Sequence, residues 1–177
     1  DLGSEIRKMF IPAEGCVLVD ADYSQIELRL LAHISGDTAM QAAFTSGTDI
    51  HTATAAQVFH VDPADVTHEM RRRAKAVNFG IVYGISAFSL SQDIGVTVAE
   101  AKAYMEAYFA TFPGVRQYMD SVVAQAKEQG YVETLFHRRR ELPEIRSSNF
   151  NLRSFGERVA LNMPIQGTAA DIMKLAM

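Results

Sequence analysis

The chain has 177 residues, 48% of them hydrophobic and 21% charged, with a single cysteine, Cys16. That composition excludes the disordered, collagen-like and disulfide-scaffold classes, and one cysteine excludes an internal disulfide, a CxxC redox pair and a cysteine-rich zinc knuckle. The net charge of -4 argues against indiscriminate binding to a polyanion, so an anionic partner has to meet one of two local basic patches, residues 69–75 or Arg138-Arg139-Arg140.

No apolar run approaches the roughly 18 residues of a membrane span, and no basic-then-apolar leader opens the chain. A soluble, cytoplasmic protein without membrane contact is expected. The chain opens at Asp1 and closes at Met177 inside an alanine-rich helical pattern, which reads as a piece of a longer protein.

In chain order, residues 17–23 read as a short strand buried on both faces. Ser24-Gln25-Ile26-Glu27 then fits a capping box, and Ile26, Leu30, Leu31 and Ile34 form the apolar stripe of a helix that Gly36 ends. Helices are predicted over 38–44 and, with Asp49 as N-cap, as far as Phe59, where Asp62-Pro63 breaks the pattern. A long helix follows from His68 to Tyr83, closed by Gly84. Thr97 leads into a periodic helix through Phe112, and Pro113-Gly114 separates it from another that runs to Gln129-Gly130. Residues 131–136 alternate like a strand, with a hairpin partner ahead of Leu142-Pro143. A polar stretch, 146–149, precedes a final pair of helices broken at Pro164 and Gly167. The sum is an α+β fold, predominantly α-helical.

Common catalytic signatures are missing: there is no phosphate loop, no GxGxxG, no complete nucleophile elbow at Gly84-Ile85-Ser86, and Arg72 stands where a zincin needs its second histidine. Two features remain. Asp20 and Asp22, two apart on the predicted strand, share a face and suit a Mg²⁺ site; capping the following turn is the competing reading. On the helix over 68–83, Arg71, Lys75, Phe79 and Tyr83 recur every four residues and share one face, basic at one end and aromatic at the other. It extends about 18 Å at 1.5 Å per residue, a length comparable to an extended nucleoside triphosphate. Arginine and lysine could hold phosphates there while Phe79 packs on a sugar or base; a solvated basic turn followed by core aromatics fits the same spacing. Gly80 and Gly84 would admit a second chain close to the backbone.

Three longer motifs decide between these readings. Residues 22–29 (Asp-Tyr-Ser-Gln-Ile-Glu-Leu-Arg), the Arg71, Lys75, Asn78-Phe79-Gly80, Tyr83-Gly84 pattern, and Asn162-Met163-Pro164 with Gln166-Gly167-Thr168-Ala169-Ala170-Asp171 resemble, in order, three motifs of bacterial family A DNA polymerases of the DNA polymerase I type. Asp49-Ile50-His51-Thr52 and the run from Gly130 to Thr134 match the connecting segments, so the resemblance covers essentially the whole chain.

The resemblance implies a fingers subdomain flanked by partial palm: 1–34 as palm with the first catalytic-aspartate motif, 35–148 as fingers, 149–177 as palm helices. Asp22 would bind the pair of Mg²⁺ ions, with the Tyr23 carbonyl adding an oxygen, for attack of a primer 3′-hydroxyl on the α-phosphorus. Glu27 looks like a steric gate against a ribose 2′-hydroxyl. Arg71 and Lys75 would grip the triphosphate of a deoxynucleoside triphosphate, with Lys75 placed to protonate leaving pyrophosphate. Phe79 would stack on the incoming nucleotide, Tyr83 would sit by the template base, and Gln25 and His51 match nucleotide-pocket positions. Arg158, Asn162 and Gln166 match residues that contact primer-template DNA, and Arg138 to Arg140 are either phosphate contacts or a solvated turn.

The resemblance also implies a second catalytic aspartate, in a His-Asp-Glu motif that these residues do not contain, so the chain alone is expected to be inactive and monomeric. A non-catalytic DNA-binding module of the same ancestry, and a metal-dependent phosphatase or nuclease built on Asp20 and Asp22, are the competing classes. The phosphate-to-aromatic stripe is unexplained by the second.

Overall fold

The structure, a computed structural model, describes residues 2–177, with side chains from residue 5 onward. Helix α1 (Leu2–Arg7) precedes an irregular segment, and the helical body begins with α2 (Ile26–Ser35), α3 (Thr38–Thr45) and α4 (Ile50–Phe59). Next come α5 (His68–Val82), α6 (Ala87–Ile94), α7 (Val98–Thr111) and α8 (Pro113–Gln129). A hairpin of β1 (Tyr131–Glu133) and β2 (Arg139–Glu141) then leads to α9 (Phe150–Ala176).

Local chemistry fixes most of these starts. Helices α3, α4, α5, α6 and α7 begin on Asp37, Asp49, Thr67, Ser86 and Thr97, and each side-chain oxygen accepts the backbone N–H three residues on. Thr97 and Glu100 complete a capping box. Asp37 does a second job: its buried carboxylate also accepts the Gly114 N–H at 2.8 Å, tying the start of α3 to the start of α8.

Two adjoining apolar clusters hold the body together. The larger takes Leu28 and Leu31 from α2, Met40 from α3, Ile50 from α4, Val77 and Ile81 from α5, Leu90 from α6, Tyr108 from α7, and Ile165 from α9. The smaller joins Val122 and Ala126 of α8 to Val132, Leu142, Ile145, Ala160 and Met163, and so seats the hairpin on α9. Helix α5 packs chiefly on α4, with Ala74, Val77, Asn78 and Ile81 inward, leaving the Arg71–Tyr83 face outward.

The mostly helical α+β reading holds, and four local expectations are corrected. Residues 17–23 form no strand: Val17, Leu18 and Val19 are exposed and pair with no other strand among the described residues. Apolar alternation alone cannot satisfy a strand's backbone groups without a neighbour. The capping box at Ser24 is also absent. Gln25 takes the N-cap position in the left-handed conformation (φ 58°) without a side-chain cap, because Glu27 turns to Tyr83 instead.

The final helices are one. Helix α9 runs unbroken through Pro164 and Gly167: the proline lacks only its own N–H, and buried Ala160, Met163, Ile165 and Thr168 hold the turns on both sides in place. Gly167 lies where a Cβ would come within 2.6 Å of Thr134 in the hairpin. Gly80 and Gly84, finally, admit the chain's own residues: a Cβ at Gly80 would strike Ile85 at 2.5 Å, and one at Gly84 (φ 64°) would meet Leu161 of α9 at 2.9 Å.

Candidate functional site

Helix α5 supplies the axis of the site. Its outward face carries Arg71, Lys75, Phe79 and Tyr83, as the four-residue spacing requires. Phe79 and Tyr83 lie nearly parallel, with ring centroids 6.4 Å apart, and the Lys75 ammonium stands 5.9 Å from the Phe79 centroid. Lys75 is exposed and has no carboxylate within salt-bridge distance among the described residues. Arg72 and Arg73, by contrast, are both drawn to Glu69, so the basic run divides into a self-neutralised pair and an outward pair.

Arg71 forms a two-pronged bridge to Asp49, Nε to Oδ2 at 2.9 Å and Nη2 to Oδ1 at 3.1 Å. Partial burial pushes the Asp49 carboxyl upward, but the bonds from Arg71 and Thr52 outweigh it and hold the group at about 2. Helix α4 brings His51 to the same place, buried, with its ring centroid 5.9 Å from that of Phe79. The Asn78 amide lies 3.1 Å from His51 Nδ1 and 3.2 Å from the Thr54 hydroxyl, both fully buried. An amide N–H given to Nδ1 leaves the proton of a neutral imidazole on Nε2, where it is a donor.

Burial lowers the His51 pKa; the Asp49 charge opposes this, and Arg71 and Lys75 add to it. A depressed histidine stays neutral when folded, so the unfolded chain takes up the proton first as pH falls below about 6.5. Asp49 adds a second loss between its ordinary 3.8 and about 2. Urea midpoints measured from pH 8 to pH 5 should therefore fall for the parent chain and flatten for His51→Gln. A parent slope retained by the variant would count against the buried neutral imidazole.

The N-terminal end of α2 meets this axis at two points. Gln25 Nε2 reaches Asp49 Oδ1 at 3.4 Å, and the Tyr83 hydroxyl donates to Glu27 Oε2 at 3.0 Å. Burial and the Glu27 charge raise the Tyr83 pKa, so the phenol keeps the proton it donates. The structure thus gathers Gln25, Glu27, His51, Arg71, Lys75, Phe79 and Tyr83. Asp20 and Asp22 lie exposed outside that bonded set, and the Tyr23 carbonyl accepts the Ile26 N–H at 3.4 Å. Their hard oxygens suit Mg²⁺, but among the described residues no three metal-ligating side chains converge.

Tyr83 also lines a cleft of about 660 Å³ together with Arg158, Asn162 and Gln166 of α9 and Arg138, Arg139 and Arg140 of the hairpin. The arginines are not equivalent. Arg138 is spent on Asp171 and the Gly167 carbonyl, and Arg139 on Glu133 and the Tyr131 ring. Among the described residues Arg140 meets no carboxylate, and Arg158 bonds the Ser154 hydroxyl and no carboxylate. The triplet therefore contains one clasp, one cross-strand pair and one available cation, a division that a run of three identical letters hides. Asp49 was legible as a cap and as part of a segment that matches the family, but no local signal marks its pairing with Arg71, 22 residues away.

All 177 residues match the model of DNA polymerase family A. The chain belongs to that family. It is 60% identical to DNA polymerase I of Streptococcus pneumoniae over 177 residues and 60% identical to that of Geobacillus stearothermophilus over 176, covering 99% of this chain and 20% of each relative. The chain thus spans about a fifth of the length of the curated relatives it matches. A solved structure described as the POL domain of Pol1 from M. smegmatis, in complex with DNA primer-template and dNTP, superposes with a TM-score of 0.84 at 50% identity. That likeness covers 88% of this family A chain and 27% of the solved one.

Proposed function

We propose that this family A chain is the fingers, with two flanking pieces of palm, of a DNA-directed DNA polymerase that acts as a monomer in the bacterial cytoplasm. Its partners are primer-template DNA and deoxynucleoside triphosphates. The observation that carries the reading is Tyr83, which stands at once on the phosphate-to-aromatic face of α5, on Glu27, and in the wall of the arginine-lined cleft. A nucleotide along α5 and a template base in the cleft would meet there.

In the reaction the primer 3′-hydroxyl gives up its proton to water as its oxygen bonds to the α-phosphorus, and the bond from the α-phosphorus to the oxygen bridging it to the β-phosphate breaks, releasing pyrophosphate. Arg71 and Lys75 bind the phosphates, one by a planar fork and one as a point charge. Lys75 gives the leaving pyrophosphate its proton. His51 donates Nε2–H toward the same phosphates, and Gln25 lines their pocket. Phe79 stacks on the incoming nucleotide, and Glu27, fixed by the Tyr83 hydroxyl, fills the space a ribose 2′-hydroxyl would need. Arg158, Asn162 and Gln166 hold the primer-template beside the new pair. The Asp22 carboxylate and the Tyr23 carbonyl would hold Mg²⁺ from this side, and the metal would supply charge neutralisation for the transfer.

Templated primer extension is the test. In the full-length polymerase, Asp22→Ala should reduce incorporation to background, while the 177-residue chain alone should incorporate no more than its own Asp22→Ala variant. Retained incorporation in the full-length variant would remove Asp22 from the reaction. Incorporation by the isolated chain would show that its own residues complete the site.

A further inference from the structure

Asp49 is a carboxylate that the reaction above does not use, yet it is bonded to much of the machinery. Oδ1 accepts Gln25 Nε2 and Arg71 Nη2, and Oδ2 accepts Arg71 Nε at 2.9 Å, the Thr52 N–H at 2.9 Å and the Thr52 hydroxyl at 2.8 Å. A carboxylate offers about four lone-pair sites, so this one is saturated and has nothing left for a metal ion or a substrate. It also begins the helix that carries His51. Three residues assigned to the nucleotide pocket, from three separate parts of the chain, are therefore set relative to one acid.

The geometry at Arg71 indicates what that acid does. A guanidinium has five N–H donors in a rigid plane, and Asp49 occupies one edge through Nε and Nη2. The Nη1 groups and the second Nη2 hydrogen stay available, and their direction is now fixed. A fork oriented before its ligand arrives loses less conformational freedom on binding than a free arginine side chain. The carboxylate stays ionised through this pairing.

We infer that Asp49 is the positioning residue of the nucleotide grip: it orients Arg71 and Gln25, and sets the start of the His51 helix, without touching the nucleotide. The inference rests on the proposed role of Arg71 in holding the triphosphate. A mere helix cap is the competing explanation, and Asn or Ser would preserve it. Serine is too short to reach Arg71 or Gln25.

The experiment is steady-state primer extension by the full-length polymerase carrying Asp49→Ser, Asp49→Asn, Arg71→Ala, or Arg71→Ala with Asp49→Ser. Asp49→Ser is expected to raise the nucleotide KM about five- to tenfold, with kcat within about twofold of the parent. In the Arg71→Ala background it should add only the smaller part that passes through Gln25, well short of its effect on the parent. If it fails to fold, Asp49→Asn, which keeps the cap and loses the charge, carries the same comparison. A raised KM in Arg71→Ala beside an unchanged KM in the Asp49 variants, fully additive effects, or a loss confined to kcat would each overturn the positioning role and leave the proposed function standing. An unchanged KM in Arg71→Ala would overturn the grip itself, and this inference with it.

Discussion

Replacing Lys75 by Ala in the full-length polymerase should lower the maximal rate of nucleotide incorporation by about a hundredfold or more, the usual contribution of a positioned general acid. Lys75 is exposed on α5, one turn beyond Arg71 and one turn before Phe79, and it alone of the four basic residues over 71–75 lacks a carboxylate partner among the described residues. A cation already neutralised by an acid would have to break that pairing before meeting phosphate. Lys75 has none to break, and a lysine can release a proton where an arginine cannot. Rapid-quench measurement of a single incorporation at saturating nucleotide reads the rate directly. A variant that changed only the apparent affinity would reduce Lys75 to a point charge.

Phe79→Ala sets the contrast on the same helix face. Its ring is half-buried between Lys75, His51 and Tyr83, so its loss removes a stacking surface but no proton and no charge. Stacking on an aromatic is worth about 1–3 kcal/mol per base, which corresponds to roughly a 5- to 150-fold rise in nucleotide KM with a smaller change in kcat. Equal effects of both variants on both parameters would contradict the division of labour along α5.

The face of α5 was legible in the sequence because helical periodicity is a local property: a spacing of four puts residues on one side whatever surrounds them. What Arg71 bonds to was not, because Asp49 lies 22 residues away and is joined to it only by the packing of α4 on α5. The same distinction explains the errors. Residues 17–23 have the composition of a strand, but a strand exists only by pairing, and Val17, Leu18 and Val19 lie exposed. Pro164 has the local signature of a helix end, yet tertiary contacts on Ala160, Met163, Ile165 and Thr168 carry α9 past it. Arg138, Arg139 and Arg140 are identical letters with separate roles, since only the register of the hairpin on α9 decides which one meets Asp171 and which meets Glu133.

Phe112→Ala should be the most damaging single core substitution in the 177-residue chain, costing about 3–5 kcal/mol of a stability that for a domain this size is roughly 5–15. Phe112 is 1% exposed, closes α7, opens α8, and meets the Tyr108 ring edge-on at 5.0 Å. Tyr108→Phe, one helical turn away, should have the opposite sign. The Tyr108 hydroxyl is buried with no hydrogen-bond partner among the described residues, and burial followed by the nearby Asp37 charge pushes its pKa up. Removing it relieves the desolvation of a group that gains nothing in return and keeps the ring that packs on Phe112. Urea unfolding of the two variants beside the parent separates volume from polarity in one cluster: a large fall in midpoint is expected for Phe112→Ala and an unchanged or higher one for Tyr108→Phe. A comparable fall in both would mean that the Tyr108 hydroxyl has a partner in solution.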